Sequence, residues 1–231
     1  RAEGELVAAT ARAHAHRPHG VTDRADLLHV TARAPQGRAA HAAPLADVTT
    51  DRLRLRRFDD DDLDALAAVF AKPEVWRFPY GRALTRTETQ AFLAAQIRDW
   101  DEYGFGCWLA IERATDRVAG YVGLSVPRFL PEILPAVEVG WRFDPVVWGR
   151  GYATEGAAAA LDEAFTTLAL DEVCSVPETG NAASVRVAER LGMRLARTVT
   201  IPATPRRGAL TGSLFVITPD EWLSGRPAAG M

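Results

Sequence analysis

The order of segments along this chain predicts an α/β sandwich: a mixed, mostly antiparallel central sheet flanked by helices. Three observations carry that expectation. Short apolar strands joined by tight turns in the first half build antiparallel sheet. Amphipathic helical stretches alternate with short strands after residue 150. Between them, Val137 to Glu155 reads as a strand, a Pro-bearing turn, a glycine loop and the start of a helix. Free N–H groups at a helix start, with small residues admitting a ligand, suit a phosphate or diphosphate.

Element by element, residues 1–49 are rich in Ala, Arg, His and Pro without a sustained apolar period and read as a poorly ordered extension. The domain is expected over 50–223, with 224–231 as a tail. Arg52-Leu53-Arg54-Leu55-Arg56 alternates strictly, as a half-buried strand does. Asp59 to Asp62 places acid at a helix start, where the backbone dipole favours it, and Leu63, Leu66 and Phe70 continue at helical spacing. Thr85 to Tyr103 carries Leu93, Ile97 and Trp100 on one helical face. Gly106 to Glu112 and Val118 to Val126 are strands around the turn Ala114-Thr115-Asp116, and Ala136 to Phe143 is the next.

Residues 154–169 form a helix with Leu161, Ala164, Phe165 and Leu168 on one side. Val173 to Val176 is a short buried strand, and Asn181 to Leu191 a helix stopped by Gly192. Arg194 to Ile201 and Leu210 to Ile217 complete the sheet. Thr218-Pro219-Asp220-Glu221 has the pattern of a capped helix start.

Composition excludes several classes. With 48% hydrophobic and 25% charged residues, the chain is of ordinary globular type. A net charge of −3 gives no electrostatic case for nucleic acid or an anionic membrane surface. No apolar run approaches the roughly 20 residues of a membrane span. The two cysteines, Cys107 and Cys174, are too few for a disulfide framework and read as small core residues in a reducing compartment, so a cytoplasmic location is the default. All five histidines, including His14-x-His16-x-x-His19, fall in the extension. No metal site is expected from them, because no rigid element presents them. Acid–base chemistry in the domain therefore needs a group other than imidazole.

The candidates for that chemistry lie in the second half. Glu138 sits on the strand that leads into Trp148-Gly149-Arg150-Gly151-Tyr152-Ala153-Thr154-Glu155, and Asn181-Ala182-Ala183-Ser184 precedes Glu189-Arg190-Leu191-Gly192-Met193. In this order and spacing, over residues 51–222, the chain resembles the GCN5-related N-acetyltransferases (GNAT), most closely their RimJ/RimL-like branch. A dinucleotide fingerprint fits less well: the loop lacks a final Gly or Ala at the third fingerprint position, and the following region shows no clear βαβ unit with an acidic residue about 20 positions on.

The resemblance implies acetyl-coenzyme A as co-substrate, an amine as acceptor, and room for a homodimer. It implies that Gly149 to Thr154, with Trp148 where the family usually has Gln or Arg, hold the diphosphate through backbone amides. Arg150 adds a charge, and Asn181 helps hold coenzyme A. It further implies that the pantetheine arm pairs with Val139, Gly140 and Trp141, in a slot where that strand and Val173 to Val176 run parallel and splay apart.

Glu138 matches a position often given the role of base. A lysine-type ammonium costs about 4–5 kcal/mol to deprotonate at neutral pH, whereas an α-amine costs about 1–1.5, so a modest base suffices for the latter. The family's usual proton donor, a Tyr, is replaced by Ala188. Ser184, which the branch places near the thioester sulfur, is the candidate donor. Trp76, Arg77, Phe78, Tyr80 and Phe105 fall where relatives line the acceptor side.

Overall fold

The computed structural model describes residues 44–225. Along the chain run β1 (Val48–Thr49), β2 (Leu53–Arg56), α1 (Leu63–Phe70), α2 (Arg77–Tyr80), α3 (Arg86–Tyr103), β3 (Cys107–Glu112), β4 (Arg117–Ser125) and β5 (Glu138–Phe143). They continue with α4 (Tyr152–Thr166), β6 (Val173–Ser175), α5 (Ala182–Arg190), β7 (Arg194–Ile201), β8 (Leu210–Ile217) and α6 (Pro219–Ser224). The strands form one sheet in the order β1-β2-β3-β4-β5-β6-β8-β7. Every adjacent pair is antiparallel except β5 with β6. The mixed, mostly antiparallel sheet expected from the sequence is therefore present.

Helix starts follow the capping residues. Asp59 and Asp62 close a capping box over a single 3₁₀ turn, and α1 begins directly after it. Thr85 with Glu88 does the same for α3, and Thr218 with Glu221 for α6. The helix expected at 154–169 starts two residues earlier, at Tyr152, because Gly151 takes the N-cap in a left-handed conformation.

Side chains alternate across the sheet into two layers. Trp108 and Ala110 face one way with Val122, Leu124 and Val139, against Ala157, Leu161 and Ala164 of α4. Cys107, Leu109 and Ile111 face the other way, against Leu66, Phe70 and Leu93 of α1 and α3. β3 is buried along its whole length because helices cover both faces. Burying each large apolar side chain is worth about 1.5–3 kcal/mol, so these two layers hold the sheet in shape around the site.

α4 lies unusually close to β4. A Cβ placed on Gly156 would stand 2.6 Å from Val122 Cγ1, so only glycine allows the approach. That approach fixes the helix start relative to β5.

Of the stretch expected to be a loose extension, residues 1–43 lie outside the described residues, as does the histidine cluster; so do 226–231 of the tail. Residues 44–49 are described. Leu45 is 3% exposed, the Trp108 indole N–H donates to the Ala46 carbonyl, and Val48–Thr49 pairs with β2.

Candidate active site

β5 and β6 part almost as soon as they meet. Their register contains one residue pair, Glu138 with Cys174. The Cys174 amide donates to the Val137 carbonyl at 2.9 Å. Two residues on, the Val176 amide donates instead to the Glu138 carboxylate, at 3.1 Å to Oε1. Beyond Glu138 the β6-facing edge of β5 has no strand beside it, and a cleft opens there.

On one side of the cleft is a cavity of about 690 Å³ under the start of α4. It is lined by Trp141, Trp148, Gly149, Gly151, Tyr152, Ala153 and Thr154, and across from them by Asn181, Ser184 and Arg186. Gly149 and Gly151 have φ of 76° and 83°, a left-handed backbone that costs any other L-residue about 1–2 kcal/mol. This backbone turns the chain so that the amides of Gly151 to Thr154, which have no partner among the described residues, open α4 toward the cavity. The first intrahelical bond is made by Glu155 N–H, to the Gly151 carbonyl at 3.0 Å. Four free donors at a positive helix end have the chemistry to hold an anion.

The cradle is braced from behind. Glu112, 3% exposed at the end of β3, accepts from the Tyr152 hydroxyl at 2.6 Å and from Arg150 Nη1 at 3.0 Å. Thr115 Oγ1 and Arg117 also donate to it, and these bonds, Thr115 first, hold its carboxyl below the ordinary carboxylate value. Glu155, in the first turn of α4, accepts from Thr50 Oγ1, Arg52 N–H and Arg52 Nε at 2.6, 2.8 and 2.6 Å. The Trp148 indole N–H donates to the Phe143 carbonyl at 2.8 Å.

On the other side of the cleft lies a second cavity, of about 430 Å³. Glu138, Gly140 and Arg142 project into it from alternate positions of β5, with Ser125, Tyr121, Trp76, Phe92 and Glu178 around them. A Cβ on Gly140 would meet nothing within 4 Å, so the strand stays open beside Glu138. Burial pushes the Glu138 carboxyl up to about 7, with the Val176 N–H offsetting part of the effect. Trp141, Arg142, Asn181 and Ser184 line both cavities, which therefore meet there.

Most residues singled out in the sequence converge on this cleft. Trp141, Trp148, Gly149, Gly151, Tyr152, Ala153, Thr154, Asn181 and Ser184 line the first cavity, and Glu138 and Gly140 the second. Two do not. Val139 is fully buried in the α4-side core, so it offers the cleft only its backbone. Arg150 lines neither cavity: its guanidinium is on Glu112, and its carbonyl accepts from Arg52 Nη1 at 2.7 Å. Asn181 caps α5, accepting from Ser184 N–H at 3.2 Å through Oδ1, while the Ser184 hydroxyl has no partner among the described residues. Ala188 is fully buried. Phe105 is core, 2% exposed, and lines neither cavity.

Sequence reasoning overlooked Glu112, Arg142 and Glu178. The first carried a signal, a carboxylate ending a strand that is otherwise apolar. Arg142 carried a weaker one, since it repeats the side of β5 used by Glu138. Its Nη1 donates to the carbonyls of Val75 and Phe78, and its guanidinium lies 3.9 Å over the Trp76 ring, pinning Val75, Trp76 and the start of α2 to β5. Among the described residues no group of three or more His, Cys, Asp or Glu is placed to hold a metal ion, and no helix is long and apolar enough to cross a membrane.

A splayed parallel pair, free amides at the start of the helix that follows, and an aromatic pocket across the cleft fit an acyltransferase. The chain belongs to the GNAT acetyltransferases: the family described as acetyltransferase (GNAT) domain matches residues 52–194. The uncharacterized protein YkkB of Bacillus subtilis strain 168 is 33% identical over 153 residues, 66% of this chain and 87% of that protein. An FsC-acetyl coenzyme A-N(2)-transacetylase of Aspergillus fumigatus is 31% identical over 186 residues, 75% of this chain and 77% of that protein. A solved acetyltransferase from Agrobacterium tumefaciens superposes with a TM-score of 0.60 at 27% identity, covering 75% of this chain and 94% of its own.

Proposed function

We propose that the chain transfers an acetyl group from acetyl-coenzyme A to a primary amine, either a protein N-terminal α-amine or a small molecule, in the manner of the RimJ/RimL-like branch. The observation that carries this reading is the meeting of the two cavities at Trp141, Asn181 and Ser184, with Glu138 on the acceptor side.

In this reading the amides of Gly151 to Thr154 take the diphosphate of the co-substrate. The exposed edge of β5 at Gly140 and Trp141 takes the pantetheine arm, as an added strand does. The thioester then lies near Ser184 and the acceptor enters over Gly140. Glu138, directly or through one water, removes the proton of the incoming ammonium. The free amine attacks the thioester carbonyl, the new C–N bond forms as the C–S bond breaks, and coenzyme A leaves as a thiolate that takes up the proton the acetylated nitrogen sheds. Ser184, whose hydroxyl is uncommitted, donates a hydrogen bond to that sulfur. A thiol's ordinary pKa of about 8.5 makes the thiolate a fair leaving group, so a weak donor suffices where Ala188 stands in place of a phenol. Neither cysteine is the nucleophile: burial pushes both thiols far up, and no imidazole is beside them among the described residues.

A second reading, a module that binds acyl-coenzyme A without turning it over, draws on the buried Ala188. One experiment separates them: thiol release from acetyl-coenzyme A with a panel of amines and peptides, with products checked for the mass of one acetyl group. Acceptor-dependent release that Glu138→Gln abolishes supports the transferase. Tight coenzyme A binding with no release from any acceptor supports the module.

A further inference from the structure

Buried polar atoms without a partner line the acceptor cavity. Among the described residues three buried side-chain atoms have no hydrogen-bond partner: Trp76 Nε1, Gln96 Oε1 and Glu178 Oε1. All three residues line this cavity. Buried polar atoms are as a rule paired, so three orphans around one space mark where a ligand's own groups belong.

A carboxylate only accepts, whereas an amide can turn either end toward a ligand. Trp76 Nε1 only donates and asks a ligand for an acceptor, whereas the Glu178 carboxylate asks for a donor. Both arginines on the wall spend Nη1 on backbone carbonyls. Arg142 Nη1 donates to the Val75 and Phe78 carbonyls, and Arg207 Nη1 to those of Pro202 and Gly208 at 3.0 and 3.1 Å.

Glu178 is held by its backbone. Its carbonyl accepts from the Asn181 amide at 2.8 Å, and it bridges to Gly212 of β8. Burial pushes its carboxyl up, and Arg207 and Arg142 offset this only in part. The remaining walls are aromatic: Trp76 stacks on Tyr80 with centroids 5.6 Å apart, and Phe92 lies 5.0 Å from Tyr121. Ring faces attract cations and cover methylene groups.

We infer that the acceptor is a compact cationic amine bearing a second N–H-rich group, which Glu178 takes while Glu138 faces the reacting nitrogen, and that acceptors with a carboxylate in place of that second group are rejected. The inference rests on the acetyl-transfer reading of the same site.

Three probes of equal chain length isolate the second group: 1,4-diaminobutane, butylamine and 4-aminobutanoate. Each is titrated calorimetrically into the full chain, with and without saturating coenzyme A. The diamine is expected to bind at least tenfold more tightly than butylamine, with 4-aminobutanoate weakest. Glu178→Gln, nearly the same in shape, is expected to cut the tenfold preference to less than threefold. Equal binding of all three, tightest binding of the acid, no binding of any, or a preference that survives Glu178→Gln overturns the inference. A failure of coenzyme A itself to bind strikes the acetyl-transfer reading instead, and is seen separately in the coenzyme titration.

Discussion

The Val176 amide reaches the Glu138 carboxylate, at 3.1 Å, where an undisturbed parallel sheet would have it reach a β5 carbonyl. This substitution of a side chain for a backbone partner lets β6 leave β5 without stranding a buried N–H, and it aims the carboxylate at the cleft. The same residue thus props open the slot and, in the proposed mechanism, takes the proton.

Glu138→Gln keeps the acceptor oxygen for Val176 and removes the base. It is expected to lower kcat about 100-fold, within the usual range for a general base, with coenzyme A affinity nearly unchanged. The wild-type profile of kcat/KM should rise through about pH 7 as Glu138 ionises, and the variant should lack that limb. Steady-state kinetics from pH 5.5 to 8.5 check both.

The raised value also fixes a stability trend. Between the ordinary carboxylate value of 4.5 and about 7 the folded chain binds a proton that the unfolded chain releases, so this group's contribution falls as pH rises through that window. At pH 8 the ionised, desolvated carboxylate is a net cost. Glu138→Gln is expected to be more stable than wild type there, on the order of 2 kcal/mol, and equal to it near pH 4. Denaturant melts at the two pH values test this, and equal stabilities at pH 8 would contradict it.

Ser184→Ala separates chemistry from capping. The α5 cap uses the Ser184 N–H and the Asn181 side chain, which the variant retains. A roughly tenfold loss of kcat, worth about 1.4 kcal/mol, with Tm unchanged identifies the hydroxyl as the thiolate's donor. A fall in Tm with kcat intact makes it structural.

Gly149→Ala places a Cβ where nothing lies within 4 Å, so its effect is confined to the backbone at φ 76°. The loop must leave the left-handed region or pay about 1–2 kcal/mol, and the cradle moves with it. Coenzyme A is expected to bind about tenfold more weakly. Arg150→Ala, by contrast, removes a guanidinium that faces Glu112, and is expected to weaken binding less than threefold while lowering Tm. Calorimetric titration of both variants orders the two effects.

Much of this was legible in the residues. Local signals carried it: alternation over 52–56, the capping boxes at Thr85 and Thr218, and glycines framing the turn into α4. The order of those signals placed Glu138, the Gly149–Thr154 loop and Asn181 on one cleft. What escaped depends on distant contacts. Arg150 has the same local pattern whether it faces a phosphate or Glu112, and the choice is made by a strand 38 residues away in sequence. Val48–Thr49 forms a strand because β2 offers an edge and Leu45 finds a pocket, not because its own sequence alternates. The unpaired oxygen of Glu178 has meaning only in the folded cavity, which it lines together with residues of β5, α3 and the segment around α2.

The measurement closest to the central claim is a backbone amide map of the isotope-labelled chain titrated with coenzyme A. The N–H resonances of Gly151, Tyr152, Ala153 and Thr154 should move downfield together as the diphosphate accepts their hydrogen bonds, with pantetheine, which lacks the diphosphate, leaving them in place. Saturable coenzyme A binding that leaves those four amides unmoved would contradict the account.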